Sequence, residues 1–289
     1  MSRPYIIGTP AYDPQSGGCM VIHRFCHELN EHGQEAYVSN KTTNPAWNTP
    51  YYAAARESDR VHDGQVTALN PSYSEWRDGF DVISVYPEIT FGNPLGTRTV
   101  VRYLLNNAGK LSGPKQFESS DILFAFSRMF NDFNLPEERI LFLPVIDVDF
   151  FKDAGLNRNK IAYYVGKGWR NDITISIREV GAEVEITKET TTNQLNLRDI
   201  LQTSKVLYCY DNITGMTELA RLCGCPVVIM PNGEYTKEQY NNHEFGWNGL
   251  GWGKLPEDFD SAKFRETYLQ VKEQFYDKLD RFIEITQNT

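Results

Sequence analysis

The sequence predicts an α/β protein of two doubly wound domains, each a parallel sheet covered by helices, facing each other across a cleft. Three observations predict it. Short apolar runs rich in Ile, Val, Phe and Tyr recur between helical patterns, as strands buried on both faces do. The length, 289 residues, suits two domains of about 150 each. Between them the stretch LPVIDVDFFKDAGLNRNK, residues 143–160, breaks the alternation with Pro, Asp and Asn and has no period, so it reads as a linker. The domains are then 1–147 and 148–289.

In the first domain the pattern predicts strands at 4–8, 35–39, 65–69, 81–86, 99–105, 122–126 and 140–145. The clearest helix follows the first strand. Met20, Ile22, Phe25, Cys26 and Leu29 fall on one face and Gly33 ends it. Residues 40–80 are rich in Tyr, Asn, Pro and Ser and read as loops with a short helix. After the linker come strands at 160–165 and 183–187, a helix at 195–203 and a strand at 205–209. A helix follows within TELARLCG, then a strand at 226–230. The tail 260–286 is one long helix with a stripe of Phe264, Tyr268, Val271, Phe275, Leu279, Phe282 and Ile283. HEFGWNGLGWGK, residues 243–254, suits either a substrate lid or an ordered turn.

Composition excludes several classes. No apolar run approaches the roughly 18 residues of a membrane span, and the N-terminus resembles a first strand, so a cytoplasmic protein is expected. The net charge of -9 disfavours broad contact with nucleic acid or anionic membrane. Cys19, Cys26, Cys209, Cys223 and Cys225 read as buried thiols, and the Cys223-Gly224-Cys225 pair lacks the partners a zinc site needs. No metal site is expected.

Candidate ligand residues lie just after strands, where open α/β sheets bind ligands. Gly17 and Gly18, in a loop before the first helix, let backbone N–H groups approach an anion. The loop lacks the GxGxxG pattern of dinucleotide sites, so no nicotinamide or flavin cofactor is expected. Glu88 follows the strand DVISVY, and desolvation there would suit it to act as a base; a solvated loop carboxylate is the other reading. Lys167 and Arg170 place two cations where a phosphate would lie. After the strand KVLYC, Tyr210 and Asp211 lead to a helix start at Thr214 and Gly215 that can face an anion. Glu218, one turn on, would cost several kcal/mol as an unpaired core carboxylate, so it reads as a clamp on ribose hydroxyls; simple charge decoration of the helix N-terminus is the other reading.

These residues resemble those of the nucleotide-sugar-dependent glycosyltransferases of the GT-B type, which have two Rossmann-like domains. SGGCMVIHRFCHELNEHGQEAYV, residues 16–38, looks like the glycine loop, helix and second strand of their N-terminal domain. TELARLCGCPVV, residues 217–228, is similar to the Glu-Ala-x-x-x-Gly-x-Pro-Val-Val segment of their nucleotide-binding domain. The resemblance implies a UDP-, GDP- or dTDP-sugar donor on the C-terminal domain and an acceptor on the N-terminal domain. It implies no obligatory metal or other cofactor, and a terminal helix crossing back to the first domain. It assigns Glu218 to the donor ribose, Lys167 and Arg170 to the diphosphate, and Gly17 and Gly18 to the phosphate-proximal loop. Tyr210 stands where many retaining members carry a second glutamate, which leaves the stereochemistry open. The expected acceptor is a glycan or related hydroxyl; a hydroxymethylated base in viral DNA is an alternative, as are a nucleotide-sugar epimerase and a non-catalytic sugar-nucleotide-binding protein. A homo-oligomer is compatible with all of these.

Overall fold

The computed structural model describes residues 2–52, 61–62, 65–66, 81–170 and 174–289; at 61–62, 65–66, 169–170 and 174–176 it describes the backbone alone. The chain divides into two compact units, Met1–Val145 with Lys272–Thr289, and Ile146–Val271. Each is an α/β unit on one five-stranded parallel sheet.

In the first unit the order along the chain is β1 (Tyr5–Ile7), α1 (Gly17–Glu31), β2 (Ala36–Val38), the short antiparallel pair β3 (Val61–His62) and β4 (Gln65–Val66), β5 (Ile83–Pro87), β6 (Thr99–Leu104) and β7 (Ile122–Ala125). The sheet runs β2-β1-β5-β6-β7. Alternation along β1 sends Tyr5 and Ile7 to one face and Ile6 to the other. The first face packs against Ile22, Phe25, Cys26 and Leu29 of α1; Met20, expected beside them, is half-buried. Helix α1 starts because Ser16 Oγ accepts the Cys19 N–H, and it stops at Gly33, whose φ of 77° is left-handed.

The same face holds the end of the terminal helix. Phe282 lies with ring centroids 5.8 Å from Tyr5, 5.0 Å from Phe25 and 4.8 Å from Phe124. The Tyr5 hydroxyl meets Thr286 Oγ1 at 2.7 Å, and Arg3 N donates to Gln287 Oε1 at 2.8 Å, so the last helical turn is latched to the first strand. On the opposite face Arg102 is buried against Asp121 (2.7 Å) and its cation lies 5.2 Å from both the Tyr86 and Phe117 ring centroids. A buried guanidinium is tolerated because a carboxylate and the Thr90 and Gly92 carbonyls meet its donors.

One expectation for this unit differs from the structure, and another is only partly covered by the described residues. Residues 140–145 form no strand and touch β7 through a single bridge, Ala125 to Ile140. Leu141 and Leu143 are buried in the core, which explains the apolar run, while Pro144 has no N–H with which to continue a ladder. Of the strand expected at 65–69, residues 65–66 pair with 61–62 and residues 67–69 lie outside the described residues, as does most of the stretch for which a short helix was expected.

The second unit comprises β8 (Lys160–Tyr164), a 3-10 turn at Gly166–Arg170, α2 (Thr174–Glu179), β9 (Val184–Glu185), α3 (Gln194–Thr203), β10 (Ser204–Cys209), α4 (Met216–Leu222), β11 (Val227–Ile229), α5 (Lys237–Tyr240) and β12 (Leu250–Trp252). Its sheet runs β12-β11-β10-β8-β9. Within the Trp- and Gly-rich stretch 243–254, residues 250–252 form the edge strand β12. Gly249, φ 73°, immediately precedes it, and a Cβ there would meet the Phe259 ring at 2.3 Å. Helix α6 (Ser261–Gln287) contributes residues to both units, with Phe264 and Tyr268 buried in the second. All five cysteines are free and buried. No helix among the described residues is long and apolar enough to cross a membrane.

Truncating Phe282 leaves a cavity among three aromatic rings, a change that costs about 3–5 kcal/mol in typical cores. Phe282→Ala is expected to lower the stability of the first unit by that amount, read as an earlier urea unfolding midpoint by tryptophan fluorescence and circular dichroism.

Candidate functional site in the second unit

In each sheet the first strand lies between the second and third, β1 between β2 and β5, and β8 between β9 and β10. Connections leave the first and third strands toward opposite edges, so a crevice opens between their carboxyl ends. In the second unit that point lies between the ends of β8 and β10, and Lys167 and Asp211 meet there. Lys167 Nζ donates to Asp211 Oδ2 at 2.7 Å and to the Ile213 carbonyl at 2.9 Å. The same carboxylate accepts the Lys167 N–H at 3.0 Å and the Ile213 N–H at 3.3 Å. Asp211 is 1% exposed, whereas the Lys167 side chain is 32% exposed, so the pair presents its cation and hides its anion.

Glycine is what allows the two loops to touch. At Gly168 a Cβ would lie 2.3 Å from the Tyr210 carbonyl oxygen. At Gly166, φ 47°, it would lie 2.6 Å from Asp211 Oδ2. Tyr210 is buried, its N–H bonded to the Tyr164 carbonyl and its carbonyl accepting Asn232 Nδ2 at 3.1 Å. Tyr210 and Asp211 thus shape the loop from within. Arg170 closes the 3-10 turn, and its side chain lies outside the described residues.

Past this pair the chain turns into α4. Thr214 Oγ1 accepts the Met216 N–H at 3.3 Å, and Gly215 is the N-cap, exposed and without a side-chain cap. Side chains on a helix lean toward its N-terminus, and Glu218 accordingly reaches back: a Cβ at Gly215 would lie 3.8 Å from its Oε2. Its other oxygen is 3.8 Å from Arg221 Nη2. The Glu218 side chain keeps 16% of its surface exposed. Burial raises its pKa and Arg221 opposes the rise.

Arg221 is the residue that sequence reasoning passed over. It is fully buried, with Nε donating to the Thr217 carbonyl (3.2 Å) and Nη1 to those of Gly246 (3.0 Å) and Asn248 (3.3 Å). Its cation sits 4.0 Å over the Phe264 ring. Nη2 has no hydrogen-bond partner. The Glu-x-x-Arg spacing in TELAR was visible as a pair on one helix face, but nothing in the sequence marks the arginine as buried.

In the first unit the equivalent crevice lies between the ends of β1 and β5. Gly8 packs on the Tyr86 ring, and a Cβ there would lie 2.8 Å from it. The Thr9 hydroxyl is buried without a partner. His23 is buried with Nε2 2.9 Å from the Pro10 carbonyl, which fixes Nε2 as the protonated nitrogen, and burial lowers its pKa. Glu88 is 3% exposed and Oε2 accepts the Leu105 N–H at 2.8 Å, tying the end of β5 to the end of β6. Burial raises its pKa to about 7, against hydrogen bonds from Leu105 and neighbouring amides that lower it. Gly17 and Gly18 do not form a loop before the helix; they are its first residues, exposed, because Ser16 caps there. A Cβ at Gly17 would meet nothing within 4 Å and one at Gly18 only Leu105 Cδ1 at 3.8 Å. The space beside this helical turn is open. Among the described residues no group of three or more His, Cys, Asp or Glu is placed to hold a metal ion.

No protein-family model and no curated protein matches the chain. Solved structures resemble it over nearly its whole length at low identity. The glycosyltransferase SnogD from Streptomyces nogalater aligns over 96% of both chains with a TM-score of 0.44 and 14% identity. An alpha-glucosyltransferase in complex with UDP and a 13-mer DNA containing a HMU base aligns over 98% of this chain and 95% of that one, with a TM-score of 0.42 and 12% identity. The spinosyn forosaminyltransferase SpnP aligns over 99% and 95%, with a TM-score of 0.37 and 13% identity.

Proposed function

We propose that the protein is a glycosyltransferase that moves a sugar from a nucleotide-sugar donor to an acceptor hydroxyl. The observation that carries this reading is the turn 213–215 in the second unit, part-buried at Ile213 and Thr214 and exposed at Gly215. Lys167 Nζ is held on the carbonyl at one end of it, and the Glu218 carboxylate curls over Gly215 at the other. A cation at one end of a short turn and a carboxylate at the other match a phosphorylated sugar: the cation meets phosphate oxygens, and the carboxylate accepts hydrogen bonds from adjacent hydroxyls.

In the reaction the bond between the sugar C1 and the diphosphate oxygen breaks and its electron pair leaves with the diphosphate. Lys167, pre-positioned by Asp211, stabilises that charge as it develops, and Arg170 is the second cation of the same loop. The Thr214–Gly215 turn lies against the phosphates, and Tyr210 with Asp211 keeps it in place. The acceptor oxygen bonds C1 and gives up its proton to Glu88, whose pKa of about 7 suits a general base. Gly17 and Gly18 leave room beside the start of α1 for ligand to approach. No metal ion or other cofactor is obligatory in this reading. The net charge of -9 favours a glycan or other small acceptor over duplex DNA, whose binding rests on neutralised phosphates.

Isothermal titration with UDP, GDP and dTDP tests the donor site. At least one is expected to bind, with the ribonucleotides ahead of dTDP, and Glu218→Ala or Lys167→Met is expected to weaken binding about tenfold or more. Absence of binding to every nucleoside diphosphate contradicts the reading, and turnover of a bound donor sugar without any acceptor marks an epimerase.

Glu88→Gln keeps the acceptor for the Leu105 amide and removes the base. Turnover is expected to fall about a hundredfold or more with nucleotide affinity unchanged; full turnover excludes Glu88 as the base. The same variant reports on stability. A carboxyl whose folded pKa lies above its ordinary value of 4.5 contributes stability that is complete below that pH and lost as pH rises through about 7. Urea unfolding at pH 4.5 and pH 8 is therefore expected to show a smaller decline in Glu88→Gln, by about 3 kcal/mol.

A further inference from the structure

The acid that would hold the nucleoside sugar sits where a carboxylate is poorly stabilised. Glu218 is desolvated, and a protonated carboxyl would offer one donor and a weakened acceptor in place of two accepting oxygens. Four groups from four elements act electrostatically on it: Arg221 from α4, Cys209 from β10, Tyr240 from α5 and Tyr268 from α6. Burial holds the thiol and both phenols in their neutral forms around neutral pH. Among these groups Arg221 alone carries charge. His243, which faces Arg221, is kept neutral by burial, its pKa pushed down to about 3.

The geometry of Arg221 is that of a fixed post. Three carbonyls and the Phe264 ring hold the guanidinium from every side but one, and the remaining nitrogen, Nη2, has no hydrogen-bond partner and lies 3.8 Å from Glu218 Oε1. Oε2 lies on the Gly215 side. An unpaired donor inside a protein costs free energy, so its persistence beside the partly exposed carboxylate of the site calls for a use.

We propose that Arg221 is a positioning residue that holds Glu218 as an ionised, doubly accepting carboxylate and thereby makes the site selective for nucleotides bearing an intact ribose 2′,3′-diol. This rests on the reading of Glu218 as the donor-sugar clamp. A deoxyribose offers the carboxylate one hydroxyl instead of two, and the second oxygen is then left desolvated without a donor.

The test compares the affinity of UDP with that of 2′-deoxy-UDP between pH 5 and pH 8 in the wild type, Arg221→Lys and Arg221→Met. The ratio of the two affinities removes the titration of the phosphates, which both ligands share. In the wild type UDP is expected to bind about tenfold or more tighter at pH 8, with the advantage shrinking as pH falls and Glu218 takes up a proton. Arg221→Lys keeps the charge and is expected to keep the pH at which the advantage fades. In Arg221→Met the fade is expected at higher pH, leaving little preference at pH 7. A merely structural arginine would lower both affinities together and leave the ratio unmoved. The inference is overturned if Arg221→Met keeps the wild-type ratio across the range, or if Arg221→Lys loses it. If Arg221→Met does not fold, Arg221→Lys and the wild-type profile decide, since a ratio that does not change between pH 8 and pH 5 overturns it as well. Failure of UDP, or of UDP over 2′-deoxy-UDP, in the wild type would instead strike the assignment of Glu218 itself.

Discussion

A carboxylate buried at the end of β10 has to be met by donors, and Asp211 is met by two loops at once. It accepts the main chain and the ammonium of Lys167 from the loop after β8, and the Ile213 N–H from its own. Removing either side would leave a buried charge unpaired, a loss of several kcal/mol. The pair therefore fixes the ends of the first and third strands of the sheet against each other. It also decides which partner faces solvent, and it is the cation. The placement of the turn 213–215, the start of α4 and the reach of Glu218 all follow from that anchor.

Both units use the same strand order, and they fill the crevice it creates in different ways. At the β8–β10 ends the crevice carries a half-exposed cation and a partly exposed carboxylate. At the β1–β5 ends the tight approach of Gly8 to Tyr86 and the buried Glu88 close the backbone down, and open space is left beside Gly17 and Gly18. One fold thus supplies a surface with a part-exposed cation and carboxylate at one sheet end, and at the other a desolvated carboxyl whose pKa is raised to about 7 by burial. Helix α6 serves both units, with Phe264 under Arg221 in one and Phe282 in the core of the other.

Much of the architecture was legible because parallel strands buried on both faces are written as plain apolar runs. The residues of β1, β6, β7, β8 and β11 lie within the stretches read as strands, and the stripe of the tail marks α6. The same signal misled at 140–145, where Leu141 and Leu143 are apolar because they enter the core, not because they join a ladder. It missed β12, whose Gly-Trp sequence looks like a loop while Gly249 is needed to clear Phe259. Lys167 and Glu218 could be picked out as charges beside strand ends. The burial of Asp211 and Arg221 could not, since it depends on partners that are distant in sequence, Lys167 for one and the carbonyls of Gly246 and Asn248 for the other. Capping by Ser16 likewise starts α1 at Gly17, turning an expected loop into a helical turn.

The central claim is that the end of the second sheet, between β8 and β10, is where a nucleoside diphosphate sits. A crystal structure of the protein soaked with UDP addresses it most directly. The account predicts a diphosphate oxygen within hydrogen-bonding distance of Lys167 Nζ and the ribose hydroxyls on Glu218. Nucleotide bound instead at the β1–β5 ends, or ribose turned away from Glu218 with the diphosphate remote from Lys167, would contradict it.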